Sequence, residues 1–310
     1  MNFRQLATFV GIYEDGSFNK AARRLNATQS GLSVQIRNLE ETMGTVLFER
    51  SAKGVQPTLA GRRLYATAVE VLRQLDRVGL ELRDLSGQIT GPLRVGLMPT
   101  FTRGLLAPVL SGYMAEHPNV EVSVVEAYSA VLMDKVAEGE VDFAVVPRSA
   151  ERDGIRARDL GEDREILVTR AGGRLRHLEP ARLADMGPLN LVLPLRGNAR
   201  RDRLDEAFER VGVKVNSILA MDAMIATLDF VASSDYATIL PQTICGKDLE
   251  GRLRWLHPIE GPVLTVGYSI IEPARRAPTP AATEFIAHLE AEYRRSARQW
   301  DEIIASIPRR

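Results

Sequence analysis

Between residues 59 and 90 the apolar positions follow a strict rhythm. Leu64, Ala68, Val71, Leu75, Val78, Leu82 and Leu85 recur at intervals of 4, 3, 4, 3, 4 and 3. A period of 3.5 residues predicts one long helix from Leu59 to about Ser86 with a coiled-coil seam, the kind that pairs with a second copy. The same stripe also fits a helix packed on its own body. Before it, the pattern is of shorter helices. Leu6, Phe9, Val10 and Tyr13 form one stripe, Gly16 breaks it, and Ser17 caps a helix carrying Ala21, Ala22 and Leu25. Asn26-Ala27 make a turn, and Thr28 caps a helix over Gln29–Met43 whose Leu32, Ile36, Leu39 and Met43 are predicted to face a core. Val46–Arg50 and Val55–Thr58, around Lys53-Gly54, read as a two-stranded wing. Residues 1–58 therefore read as a winged helix-turn-helix, and residues 59–90 as a linker helix that ends at Ser86-Gly87 and Gly91-Pro92.

After residue 91 short apolar runs alternate with helical ones. Strands are predicted at Leu93–Leu97, Val120–Glu126, Val141–Val146, Ile166–Thr169, Asn190–Pro194, Ala237–Pro241 and Val263–Tyr268. Helices fall at Leu105–Glu116, Ala130–Glu138, Asp202–Val211 and Ala281–Arg298. This alternation predicts an α/β class with a mostly parallel sheet. Ligands then sit beyond the strands' carboxyl ends, at Met98–Thr102, Tyr128-Ser129, Pro147-Arg148 and Leu195–Asn198.

Charge sharpens the division. The chain of 310 residues is formally neutral. Residues 1–63 hold nine Lys/Arg and five Asp/Glu, so the N-terminal unit is basic and the remainder mildly acidic. That asymmetry suits a nucleic-acid-binding module with a separate domain. The single cysteine, Cys245, excludes an intramolecular disulfide. With no 18-residue apolar run and no secretory pattern at the N-terminus, a cytoplasmic protein without membrane contact is expected.

On the Gln29–Met43 helix the face opposite the apolar stripe carries Ser30, Ser33, Val34 and Arg37, with Gln29 at its edge. Short polar groups, one apolar group and one guanidinium are what base edges, thymine methyls and phosphates accept. Arg50 and Lys53 on the wing are placed to meet phosphates. In the second half Thr100, Thr102, Ser129 and Asn198 are candidate hydrogen-bond partners for a ligand, and Arg196 or Arg201 a candidate charge for an acidic one. The histidines His117, His177, His257 and His288 are scattered, and no nucleophile motif, phosphate loop or metal spacing occurs. Neither catalysis nor a cofactor or metal is expected.

The N-terminal run resembles the DNA-binding domain of LysR-type transcriptional regulators. The matching residues are Phe9, Gly16-Ser17-Phe18, Ala21-Ala22, Leu25, Gln29, Ser33, Gln35-Ile36, Leu39-Glu40, Gly44, Leu47-Phe48 with Arg50, and Thr58 with Gly61. Ser30, where the family usually has proline, and Val34 depart from it. The second half resembles that family's effector domain through Gly139-x-Val141-Asp142, Arg201-x-x-Leu204-Asp205 and Ile239-Leu240-Pro241. Tyr236, where the family commonly has glycine, is a candidate for the cleft wall. The resemblance implies two lobes of periplasmic-binding-protein type over 91–310, lobe I being about 91–163 and 268–310 and lobe II about 164–267. It implies a homodimer pairing into a homotetramer, with promoter half-sites in double-stranded DNA, a small-molecule effector and RNA polymerase as partners. The two-lobed half alone also fits a solute-binding or transport component.

Overall fold

In a computed structural model of the chain, residues 1–51, 54–83, 89–148, 152–261 and 263–307 are described, residues 50, 51 and 80–83 through their backbone only. The first unit comprises α1 (Phe3–Asp15), α2 (Phe18–Arg24), α3 (Gln29–Met43), β1 (Phe48–Ser51) and β2 (Gly54–Pro57). Local chemistry sets each boundary. Asn2 and Gln5 close a reciprocal capping box on α1, and Gly16 ends it in the left-handed region. Ser17 and Thr28 cap α2 and α3 as predicted. Glu40 then reaches past the end of α3 to accept the Leu47 N–H at 2.7 Å, which aims the chain into the wing. Leu6, Phe9, Ala21, Ala22, Leu32, Ile36 and Leu39 fill the core with Ala68 of the following helix. Met43 departs from expectation. It is 43% exposed, because the helix ends at Gly44 one turn beyond the last position its neighbours cover.

The linker helix α4 spans Leu59–Arg83. Its apolar seam divides in two. Leu64, Ala68 and Val71 pack on the winged unit, whereas Leu75 and Val78 are 46% and 51% exposed. Leu82 is described by its backbone alone and Leu85 lies outside the described residues.

The remainder comprises β3 (Gly91–Leu97), α5 (Pro99–Gly104), α6 (Leu106–Glu116), β4 (Val120–Glu126), α7 (Ser129–Glu138), β5 (Phe143–Pro147), β6 (Ile155–Arg170), β7 (Leu189–Leu193), α8 (Ala199–Val211), β8 (Val215–Ala220), α9 (Met224–Ala232), β9 (Ala237–Pro241), β10 (Arg254–Pro258), β11 (Thr265–Pro273) and α10 (Pro280–Ser306). The strand order is β4-β3-β5-β11-β6-β9-β7-β8, with β10 also on β6. The sheet is mixed rather than mostly parallel. β3 runs parallel to β4 and β5, and β7 to β8 and β9, but β6 and β11 pair antiparallel with their neighbours. β6 changes partners along its length, from β11 over Ile155–Arg164 to β9 from Glu165 onward. It therefore belongs to both lobes.

Two further connections tie the lobes. The sequence reading places all of 268–310 in lobe I. In fact α10, 27 residues long, starts there with Phe285 and Leu289 and carries Trp300 into the core of lobe II with Ile166 and Leu256. Beside α10, with Phe101 near Tyr293, α5 rests on the 3-10 helix Gln242–Asp248, where Arg103 reaches Asp248 at 2.8 Å and the Ile244 carbonyl. Gly104 makes this approach possible, for a Cβ there would run into the Thr243 carbonyl. Gly104→Ala is expected to push α5 off lobe II and lower stability by about 1–3 kcal/mol, as overpacking does. Denaturant unfolding measures this, and an unchanged midpoint would deny the contact.

Candidate DNA-reading face and interlobe site

On α3 the side chains of Gln29, Ser30, Val34 and Arg37 are exposed and Ser33 is half-buried. Val34, at 52% exposure, stands at the middle of this face. The Gln29 amide donates to the Ser33 hydroxyl at 3.1 Å, and Ser30 to Thr28 at 3.4 Å. The helix is fixed from behind: Thr8 on α1 donates to the Gln35 side chain at 2.6 Å. A rigid helix thus presents two hydroxyls, an amide, a branched apolar group and a guanidinium, a set suited to groove edges and phosphate. Arg50 lies opposite Val55 in the wing ladder, and Lys53 lies outside the described residues.

The second site is a cavity of about 90 Å³ between the lobes. Met98, Tyr128, Ser129 and Pro147 come from the carboxyl ends of β3, β4 and β5, and Pro194, Asn198, Arg200, Asp222 and Met224 from lobe II. At about 30 Å³ for each water it has room for roughly three. The lobes meet over it. The Tyr128 hydroxyl donates to the Asp222 carbonyl, and Thr100 donates to the Met224 sulfur at 3.6 Å. Neither α7 nor α9 has a side-chain cap, and Ser129 and Met224 at their starts line the cavity. Other hollows are larger but open on the outer surface, such as that between Arg174–Arg182 and the end of α10.

Of the six side chains expected around a ligand, Ser129 and Asn198 line the cavity. Asn198 is also the cap of α8, accepting the Arg200 N–H at 3.0 Å. Thr100 is buried beneath the wall. Thr102 is bonded to Glu126 and the Pro99 carbonyl, and Arg196 is exposed to solvent. Arg201 faces away. It is buried and held by Asp205 at 2.8 Å and the Pro194 carbonyl at 3.1 Å. Arg201, Leu204 and Phe208, at spacings of 3 and 4, share the inward stripe of α8, and that spacing identifies Arg200 as the cation nearer the cleft. Arg200 is itself paired with Glu165 at 2.6 Å and with the Ile239 carbonyl. The Tyr236 hydroxyl lies 2.9 Å from Ser217, off the cavity wall.

Three comparisons with known proteins bear on this geometry. The model of the bacterial regulatory helix-turn-helix protein of the lysR family matches residues 3–62, and that of the LysR substrate binding domain matches residues 86–294. The chain belongs to the LysR family of transcriptional regulators. It is 30% identical over 284 residues to the nitrogen assimilation regulatory protein nac of Escherichia coli, covering 91% of this chain and 92% of that one. It is 27% identical over 259 residues to the transcriptional regulator YofA of Bacillus subtilis, covering 84% and 88%. Among solved structures it has the fold of OxyR from Corynebacterium glutamicum, with a TM-score of 0.59 at 22% identity over 100% and 99% of the two chains. It likewise shares the fold of CbnR in complex with its target DNA, at a TM-score of 0.53 and 24% identity over 96% and 100%. As a LysR-family regulator it combines a DNA-binding helix-turn-helix with a two-lobed effector-binding domain, and the transport reading is set aside. Among the described residues no three metal-ligating side chains converge and no helix is long and apolar enough to cross a membrane.

Below the cleft of this regulator one group is out of balance. Asp163 on β6 accepts the Thr243 N–H at 3.2 Å, its other oxygen has no partner, and burial pushes its carboxyl up to about 7. Folded chains then hold a proton that unfolded ones release above about pH 4, so stability falls as pH rises from about 4 to 7. Asp163→Asn removes this dependence. The variant is expected to gain melting temperature relative to the parent between those values, and a difference independent of pH would show that the carboxyl titrates normally.

Proposed function

We propose that this LysR-family regulator reads duplex DNA through the exposed face of α3 and answers to a small molecule held between its lobes. The observation that carries the reading is the face itself: Gln29, Ser30, Ser33, Val34 and Arg37 stand together on a helix whose other side buries Leu32, Ile36 and Leu39 in the core. Arg50 and Lys53, assigned to the wing from the sequence, are proposed to add phosphate contacts. Ser30 and Val34, where the family differs, are the positions that distinguish the preferred base sequence.

The effector site is the Ser129, Asn198 and Arg200 cavity. Its size demands that the lobes part to admit anything larger than a few non-hydrogen atoms. The open first turns of α7 and α9 favour an anionic group. The exposed Leu75 and Val78 supply the seam on which two copies pair, setting two α3 helices on one duplex, and the resemblance extends this to a tetramer working beside RNA polymerase in the cytoplasm. An effector that prefers one arrangement of lobes shifts the assembly toward it.

Retention on duplex DNA, falling steeply with salt, tests the DNA-reading role; no retention on any duplex at low salt would end it. Arg37→Ala should lower the slope of log K against log salt by about one if that guanidinium meets phosphate, and an unchanged slope removes it from the interface. Leu75→Asp should convert dimers to monomers on sedimentation. Undiminished dimers would move the pairing surface elsewhere.

A further inference from the structure

Beneath the interlobe cavity the buried charges do not balance, and the imbalance bears on what the cavity accepts. Burial alternates along this part of β6: Glu162 and Arg164 are exposed, while Asp163 and Glu165 are buried. Both carboxyls therefore lie on one face of the strand, where it passes from β11 to β9. Glu165, with its side chain 4% exposed, holds Arg200 of the cavity wall at 2.6 Å. Asp163 is 1% exposed and forms no ion pair among the described residues.

The groups packed round Asp163 bring no opposite charge. Tyr268 comes from β11, Tyr293 from α10, and Gln242, Thr243 and Cys245 from the 3-10 helix. Burial pushes both phenols and the thiol up, so all three stay neutral. Arg103 and Arg254, also near Cys245, are committed to Asp248 at 2.8 and 2.9 Å. One oxygen of Asp163 has no partner, and the Gln242 side chain beside it has a carbonyl oxygen without a donor. Burial has already brought the Asp163 carboxyl up to about 7. On the cavity wall itself Asp222 adds another carboxylate, fixed by the Leu195 N–H at 3.0 Å. Arg200 is the one cation on that wall among the described residues.

An anion entering the cleft therefore meets a guanidinium that is already paired. It has to share Arg200 with Glu165, and it adds negative charge close to a carboxyl that titrates near neutrality. Out of water, an added charge is tolerated when another is neutralised. We infer that Asp163 and Glu165 make anion binding in the interlobe cavity proton-linked: the anion shares Arg200 with Glu165 while Asp163 takes up a proton from solvent. The inference rests on the reading of that cavity as the effector site. Neither carboxyl lines the cavity; Asp163 acts through its charge and Glu165 through its hold on Arg200. The sign follows from linkage. Below about pH 6 Asp163 is already protonated and affinity is level, whereas above about pH 7 the bound state keeps a proton that the free state has released, and affinity falls.

The probe is acetate, which is ionised throughout the range used, with acetamide as its uncharged counterpart. Its dissociation constant from the full-length chain is read by saturation-transfer NMR at fixed ionic strength. The parent should bind acetate roughly tenfold more weakly at about pH 9 than at about pH 6. Asp163→Asn, neutral at every pH, should keep the tight low-pH constant throughout. Glu165→Gln removes the competitor for Arg200 and should tighten binding several-fold, the reverse of what losing a merely structural contact does. Circular dichroism identifies a variant that fails to fold, and the other then decides. A parent constant that does not change with pH overturns the proton link and leaves the anion site standing. So does a pH dependence that survives in Asp163→Asn, or a folded Glu165→Gln that binds no tighter. Acetate that binds no better than acetamide at any pH removes the anion site and the inference with it.

Discussion

β6 has to satisfy the backbone hydrogen bonds of sixteen consecutive residues, and it does so by serving two lobes in turn. Its first ten residues pair with β11 and its last six with β9 and β10. Much else follows from that sharing. The lobes cannot separate without breaking the ladder, so any opening of the cleft is a bend near Arg164-Glu165. Asp163 and Glu165 lie at that bend, one with an unpaired oxygen and the other holding Arg200. The chemistry of the cleft is thereby tied to the mechanics of the strand beneath it.

The winged unit was legible because its signals are local. Caps at Ser17 and Thr28, glycine stops at Gly16 and Gly44, and a four-three apolar rhythm each act within one turn of helix. Strand Val120–Glu126 was legible from its largely alternating apolar and polar positions and Ala237–Pro241 as a short, mostly apolar run. The first half of β6 was not. IRARDLGEDRE carries charge at most positions and has no alternation, because both faces there are largely open to solvent. β8 at a sheet edge and α9, apolar nearly all round, likewise lack a readable period. In the cleft, the strand ends lead to loops that line the cavity, but placing Arg200 rather than Arg201 on its wall required the phase of α8.

The apolar rhythm of α4 also shows what periodicity leaves undecided. A 3.5-residue repeat says that a stripe is buried but not by what. Leu64, Ala68 and Val71 are covered by the chain's own winged unit, and Leu75 and Val78 are not. One seam serves two surfaces, and only the fold shows where the first gives way to the second.

The placement of tryptophan has a spectroscopic consequence. The chain has two, Trp255 on β10 and Trp300 near the end of α10, and both belong to lobe II. The Trp255 indole donates to the Gly251 carbonyl at 3.1 Å, whereas the buried Trp300 indole nitrogen has no partner. The winged domain holds phenylalanine and tyrosine only. Intrinsic tryptophan emission is therefore a native reporter of lobe II, and of the helix that crosses into it, with no indole in the domain that meets DNA.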